Sequence, residues 1–208
     1  MVRTVKKPED RKVEIISAAR HLFELKGYDK VTMQDVMGFL GVAKGTIYHY
    51  FKSKEELFEA VIEDIVDTSI ERMQILLQEA TGTALEKMQM LIAAGNISVE
   101  HEKLLGALHA RNDVMHARLL ARAVTKQAVV YAQVIEQGCK EGVFQTESPQ
   151  EVAEFMLSGV QFLIDKGIYP WTHEDLVRRA NAFPGILENL LKAPKGSFDF
   201  LPNLLNSN

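Results

Sequence analysis

The chain has 208 residues, 47% hydrophobic and 25% charged, the balance of an ordinary globular protein. It has no run of about 18 apolar residues to span a membrane, its opening Met1-Val2-Arg3-Thr4-Val5-Lys6-Lys7 lacks the apolar stretch of a secretory signal, and its one cysteine, Cys139, cannot form an internal disulfide, so a cytoplasmic protein is expected. The net charge of -4 is split: residues 1–54 hold eleven Lys and Arg against six Asp and Glu, the rest thirteen against twenty-two, so the basic end is the one expected to meet an anion, nucleic acid first.

Helical signals run along the chain and strand signals are scarce. Val13, Ile15, Ile16, Ala19, Leu22 and Phe23 recur at three- and four-residue steps and predict a helix over about 9–26. Pro8, Glu9 and Asp10 suit its first turn, and Gly27 its stop. Thr32, with Asp35 three residues on, predicts the cap of a second helix whose apolar face is Met33, Val36, Met37 and Leu40. Gly41-Val42 makes a turn, and a short third helix follows to Tyr50. Ser53, paired with Glu56, opens a long helix over about 54–79. Further helices are predicted near 84–95, 99–110, 113–140, 149–167 and 173–192, with Pro184 expected to kink or split the last. The tail from Ala193 carries Phe198, Phe200, Leu201, Leu204 and Leu205, apolar enough to dock on the body.

Two short helices joined by a tight turn form the unit that delivers a helix into a major groove. Val36, Leu40, Val42, Ile47 and Phe51 are placed to pack inward. Lys44, Gly45, Thr46, Tyr48, His49 and Tyr50 remain outward. Lys44 can donate to guanine O6 and N7 or to a phosphate; Gly45 leaves the helix start free to lie close against the groove. Thr46, Tyr48, His49 and Tyr50 can bond phosphate oxygens, and Thr46 and Tyr48 can also touch a thymine methyl. Thr32 and Lys54 each stand at a helix start, where free N–H groups favour a phosphate. Arg3, Lys6, Lys7, Arg11 and Lys12 form either a DNA-following arm or a solvated start.

The run Val42-Ala43-Lys44-Gly45-Thr46-Ile47-Tyr48-His49-Tyr50-Phe51-Lys52-Ser53-Lys54-Glu55-Glu56-Leu57 resembles the signature of the TetR family of one-component bacterial regulators. Ala18-Ala19-Arg20-His21-Leu22-Phe23 and Gly27-Tyr28-Asp29-Lys30-Val31-Thr32-Met33 resemble the family's first helix and the lead into its second. The resemblance implies phosphate contacts from Thr32, Tyr48, His49 and Lys54, and base reading by Lys44 assisted by Thr46 and Tyr48. Tyr50 stands where the family often has histidine, and Gly38-Phe39 where alanine-like helix formers are usual.

The expected fold is all-α, a three-helix helix-turn-helix head (1–54) joined to a larger helical effector-binding and dimerisation body (55–208). A homodimer reading two half-sites of a palindromic operator in double-stranded DNA follows. Its interface is sought on the last two long helices, at Phe155, Gly159, Phe162, Phe183, Ile186, Leu187 and Leu190. Met88, Leu91, Leu105, His109, Met115 and Leu119 are candidates to line a pocket for a small, largely apolar effector, plain core being the other reading of each. Repression relieved by that effector is the expected function. No catalytic residue, cofactor or metal is called for. A metal or enzymatic reading would rest on Glu100, His101, His109 and His116, and a redox reading on Cys139, but no nucleophile–base pair, phosphate-cradling loop or HExxH accompanies them. A third reading is a body that only dimerises.

Overall fold

The computed structural model describes residues 7–94, 113–165 and 168–205, and the regular elements among them are all helical. These residues form two compact units that meet in sequence between Asp67 and Thr68. No helix among them is long and apolar enough to cross a membrane.

In the first unit α1 (Pro8–Lys26) begins on its proline with Glu9 and Asp10 in the first turn, where carboxylates complement the helix dipole. Its stripe of Ile15, Ala18, Ala19, Leu22 and Phe23 is buried, while Val13, predicted for the same face, is 59% exposed. Gly27, at φ 79°, ends the helix with its N–H donating to the Phe23 carbonyl at 2.9 Å. A 3₁₀ turn, Tyr28–Lys30, leads into α2 (Met33–Leu40). The predicted cap is reciprocal: the Asp35 N–H donates to Thr32 Oγ1 at 3.1 Å, and the Thr32 N–H to Asp35 Oδ2 at 2.8 Å.

Gly41 takes the left-handed conformation (φ 63°, ψ 34°) that favours glycine, and α3 (Lys44–Tyr50) follows. The next cap departs from expectation by one residue. Ser53 Oγ accepts from the Glu56 N–H at 3.1 Å, but the Glu56 carboxylate reaches back to the Lys52 N–H (2.6 Å) rather than to Ser53, and α4 (Lys54–Glu79) starts there. The core of this unit is aromatic: Phe23, Tyr28 and Phe58 have centroids 4.4 to 5.5 Å apart, Phe23 and Phe58 edge to face.

The second unit contains α5 (Ala84–Ala94), α6 (Asp113–Glu141), α7 (Pro149–Ile164), α8 (His173–Leu191) and the short α9 (Leu201–Leu205). Packing of α6 on α7 is the most extensive; α5 also lies on α6, and α8 packs on α7 and α9. The α6 end is pinned to the turn before α5, the Ala84 N–H donating to Glu141 Oε2 at 2.9 Å and Gln137 Nε2 to the Gly82 carbonyl at 3.0 Å. Gly138 lies flat against Phe144, whose ring would be 2.1 Å from a Cβ at that position. Buried Phe144 in turn stacks on Phe198 (6.3 Å), so the tail docks as expected, with Phe198 and Leu201 buried.

Two body predictions need correction. The helix predicted over 149–167 ends at Ile164, because Asp165 turns the chain: its Oδ1 accepts from the Ile168 N–H at 3.0 Å while Oδ2 meets Nε2 of buried His116 at 2.9 Å. Pro184 does not split the last helix, which runs from His173 to Leu191. Proline removes one helical hydrogen bond there, but buried Ala180, Phe183, Pro184 and Leu187 anchor both sides of the break in the core, and packing outweighs it. The helix predicted over 99–110 lies outside the described residues.

Candidate nucleic-acid interface

Short helices such as α3 are marginal alone, so their stability comes from packing. Ile47 within α3 and Phe51 at its C-terminal cap supply it, both buried. The predicted inward set is otherwise mixed: Val36 is buried, whereas Leu40 and Val42 are half-buried. What α3 leaves outward is the predicted polar set. Lys44, Gly45 and His49 are exposed; Thr46, Tyr48 and Tyr50 are half-buried.

Lys44 and Tyr48, one turn apart, come together with the ammonium 5.4 Å from the ring centroid. His49 and Tyr50 meet edge to face at 5.0 Å. Lys52 Nζ donates to the Tyr48 carbonyl at 2.9 Å, placing positive charge at the negative end of α3. Beyond its own helix backbone, no atom of the described residues lies within 4 Å of the place a Cβ would take at Gly45, so no contact among them explains a glycine there.

Thr32 is exposed at the head of α2 and committed to its cap, since its hydroxyl also donates to Asp35 Oδ2 at 2.6 Å. That bond, then the Thr32 backbone N–H and the Lys26 ammonium 3.6 Å away, hold the Asp35 carboxyl below its ordinary pKa. Lys54, at the start of α4, lies 4.2 Å from the centroid of the Tyr28 ring and donates to the Asp29 carbonyl at 3.4 Å. Burial lowers its pKa, against the nearby charges of Glu55 and Asp35, which raise it. Glu55 is held below its ordinary pKa by its backbone N–H, by Ser53 and by the Tyr28 hydroxyl, which donates to it at 3.4 Å. Tyr28, like Asp29 and Glu55, is a member of this constellation missed in the sequence. It stands 26 positions before Lys54, a separation at which no periodicity speaks. Of the basic arm, Arg3 and Lys6 lie outside the described residues, Arg11 pairs with Glu14 at 2.7 Å, and Lys12 lies 5.9 Å from the Phe51 ring centroid.

In the body, Met88, Leu91 and Leu119 are buried in the core formed by α5 and α6. Leu105, His109, His101 and Glu100 lie outside the described residues, as does the Met115 side chain. An open groove of about 570 Å³ runs between α6 and α7, lined by residues that include Thr125, Glu154, Gly159 and Phe162; of the predicted effector residues that are described, Met88, Leu91 and Leu119, none lines it. Of the predicted interface residues, Phe155 and Ile186 are outward, 68% and 51% exposed. Gly159, Phe162 and Leu190 are half-buried, and Phe183 and Leu187 are buried in the chain's own core. No group of three or more His, Cys, Asp or Glu suited to a metal occurs among the described residues. Cys139 is half-buried beside the Thr146 carbonyl at 3.8 Å.

Comparison with known proteins follows the same division. The family profile described as bacterial regulatory proteins, tetR family, matches residues 15–61, and that of the tetracyclin repressor-like C-terminal domain matches residues 95–186. An HTH-type transcriptional repressor KstR2 of Mycolicibacterium smegmatis is 34% identical over 71 residues, 34% of this chain and 35% of its own length. The repressor AcnR of Corynebacterium jeikeium is 42% identical over 57 residues, 27% of this chain and 30% of its own. The chain thus spans about a third of the curated relatives it matches. A crystal structure of a TetR-family regulator from Pectobacterium atrosepticum shares the fold over 92% of this chain and all of its own, at TM-score 0.67 and 22% identity.

Proposed function

This chain belongs to the TetR family of bacterial regulatory proteins, and from that premise we propose that it is a ligand-responsive transcriptional repressor. It binds a palindromic operator as a homodimer in the cytoplasm and is released by a small, largely apolar effector. The observation that carries the reading is α3: a helix pinned by Ile47 and Phe51, with Lys44, His49 and an unencumbered Gly45 exposed on it. In a major groove Lys44 reads guanine, Thr46 and Tyr48 assist, and Tyr48, His49 and Lys54 bind phosphates; Thr32 does so by turning its hydroxyl proton from Asp35 to the phosphate, and Tyr50 is the remaining outward candidate. The relatives named as repressors favour repression.

Dimerisation is supported by the apolar residues left outside the protomer. Phe155 and Leu163 of α7 and Ile186 of α8 are exposed, and the helical glycines Gly159 and Gly185 have open space where a Cβ would stand. Glycine in a helix interior costs about 1 kcal/mol relative to alanine, so close approach by a second copy is a reason for it. The four-helix interface is therefore assigned to α7 and α8 of two subunits, through Phe155, Gly159, Phe162, Ile186 and Leu190. The effector is assigned to the body near Met88, Leu91 and Leu119, where it would bias the spacing of the two recognition helices.

Selection of the purified full chain against a random duplex pool tests the reading. An inverted repeat should be enriched, and Lys44→Ala should weaken binding to it by about ten- to a hundredfold. A pool that enriches nothing, or an isotherm that Lys44→Ala leaves in place, overturns it. Effector binding is tested by thermal shift against a panel of apolar ligands.

A further inference from the structure

A lysine that binds a phosphate must give up the freedom of a four-carbon stem, and one already held in place gives up less on binding. Lys54 is such a lysine. Its ammonium lies over the face of Tyr28, 4.2 Å from the centroid, and one of its three N–H groups reaches the Asp29 carbonyl at 3.4 Å. Tyr28 beneath it is 5% exposed, and its ring packs against both Phe23 and Phe58. The nearest carboxylate in sequence, Glu55, is itself engaged by its own backbone N–H, by Ser53 and by the Tyr28 hydroxyl at 3.4 Å.

We propose that Tyr28 is a positioning residue for DNA binding, its ring and the Asp29 carbonyl holding the Lys54 ammonium ready for a phosphate. This rests on the DNA-binding reading above. Two of the three ammonium donors are used by the ring face and the carbonyl, which leaves a third for the phosphate. Attraction to the ring face is electrostatic and survives removal of the hydroxyl, so a phenylalanine can perform the task and an aliphatic residue cannot.

The experiment measures salt-dependent binding of the full chain to its selected operator and to a scrambled duplex. Tyr28→Leu should weaken both by about three- to tenfold, the reach of a partly desolvated cation–π contact, and flatten the salt dependence. Tyr28→Phe should recover most of the loss. In a Lys54→Ala background, Tyr28→Leu should add nothing. Equal losses with and without Lys54, or phenylalanine no better than leucine, overturn the proposal while leaving Lys44→Ala to speak for DNA binding itself. A wild-type chain that binds neither duplex takes both down. If Tyr28→Leu does not fold, the wild-type protein still decides: the Lys54 ε-methylene protons should resonate upfield of the other lysines under the Tyr28 ring current, and an ordinary position overturns the proposal.

Discussion

Lys44, Gly45 and His49 stand exposed on α3 with Ile47 buried behind them, while Phe155 and Ile186 stand exposed on α7 and α8 with Phe183 and Leu187 buried behind them. In the first unit the residues proposed to bind differ in kind from those that hold the fold. In the second they do not, since both sets are large and apolar. Polar binding residues outside an apolar core can be altered with little effect on folding. An apolar interface made from the same residue types as the core is separable from it only by which way each side chain faces.

The largest effect expected from this difference is on the body's outward pair. Phe155→Asp combined with Ile186→Asp should leave a folded monomer, seen by sedimentation, and lower operator affinity on the order of a hundredfold by removing the second half-site's contribution. A dimer that persists would move the interface elsewhere. Leu187→Asp should instead unfold the protomer, because Leu187 is 3% exposed within it.

Two glycines sharpen the contrast at a smaller scale. Gly138→Ala puts a methyl into the Phe144 ring, which Phe198 backs, and should lower stability by about 1–3 kcal/mol in a denaturant titration. Gly45→Ala meets nothing and should leave stability unchanged or raise it by up to about 1 kcal/mol. It should weaken operator binding all the same, because the methyl occupies the face proposed to lie against DNA. Unchanged operator binding by this variant would show that α3 does not approach the groove at Gly45.

The two units also share a device. Thr32 with Asp35 caps α2, and Thr172 with Asp175 caps α8, by the same reciprocal bonds. Threonine to alanine at either should cost about 1 kcal/mol of stability. Only Thr32→Ala should also weaken DNA binding; if Thr172→Ala does so equally, Thr32 acts through stability alone. The smallest effect is on acid stability. Both carboxyls are held below their ordinary pKa, chiefly by the threonine hydroxyls. Their contribution is present above the unfolded value near about 4 and is lost as pH falls through the lower folded values. Asp35→Asn and Asp175→Asn should each reduce the fall of melting temperature in that window, and an unaltered fall would remove the caps as its cause.

Much of the head was legible because its signals are local. Gly27, the Thr32–Asp35 cap, Gly41 and the spacing of Val36, Ile47 and Phe51 act within a few residues of themselves, and helix geometry converts such spacing directly into caps, turns and faces. The described body helices over 84–94, 113–141, 149–164 and 173–191 were legible for the same reason. The local misses are small, with Val13 turned outward on α1 and Glu56 reaching back to Lys52 rather than Ser53, whereas the larger ones involve residues far apart in the chain. Asp165 ended α7 early by meeting His116, 49 positions away, and Pro184 was carried through α8 by the core beneath it.

The sequence by itself thus determined an all-helical chain with a capped, basic helix-turn-helix and the outward set on α3. The tertiary structure alone decided that Tyr28 lies under Lys54, that Phe198 closes over Phe144, and that Phe155 and Ile186 face out while Phe183 and Leu187 face in. Periodicity states that a side is apolar, but a helix with apolar residues around more than one face can bury only those its neighbours cover, and the neighbours are chosen by the whole chain at once.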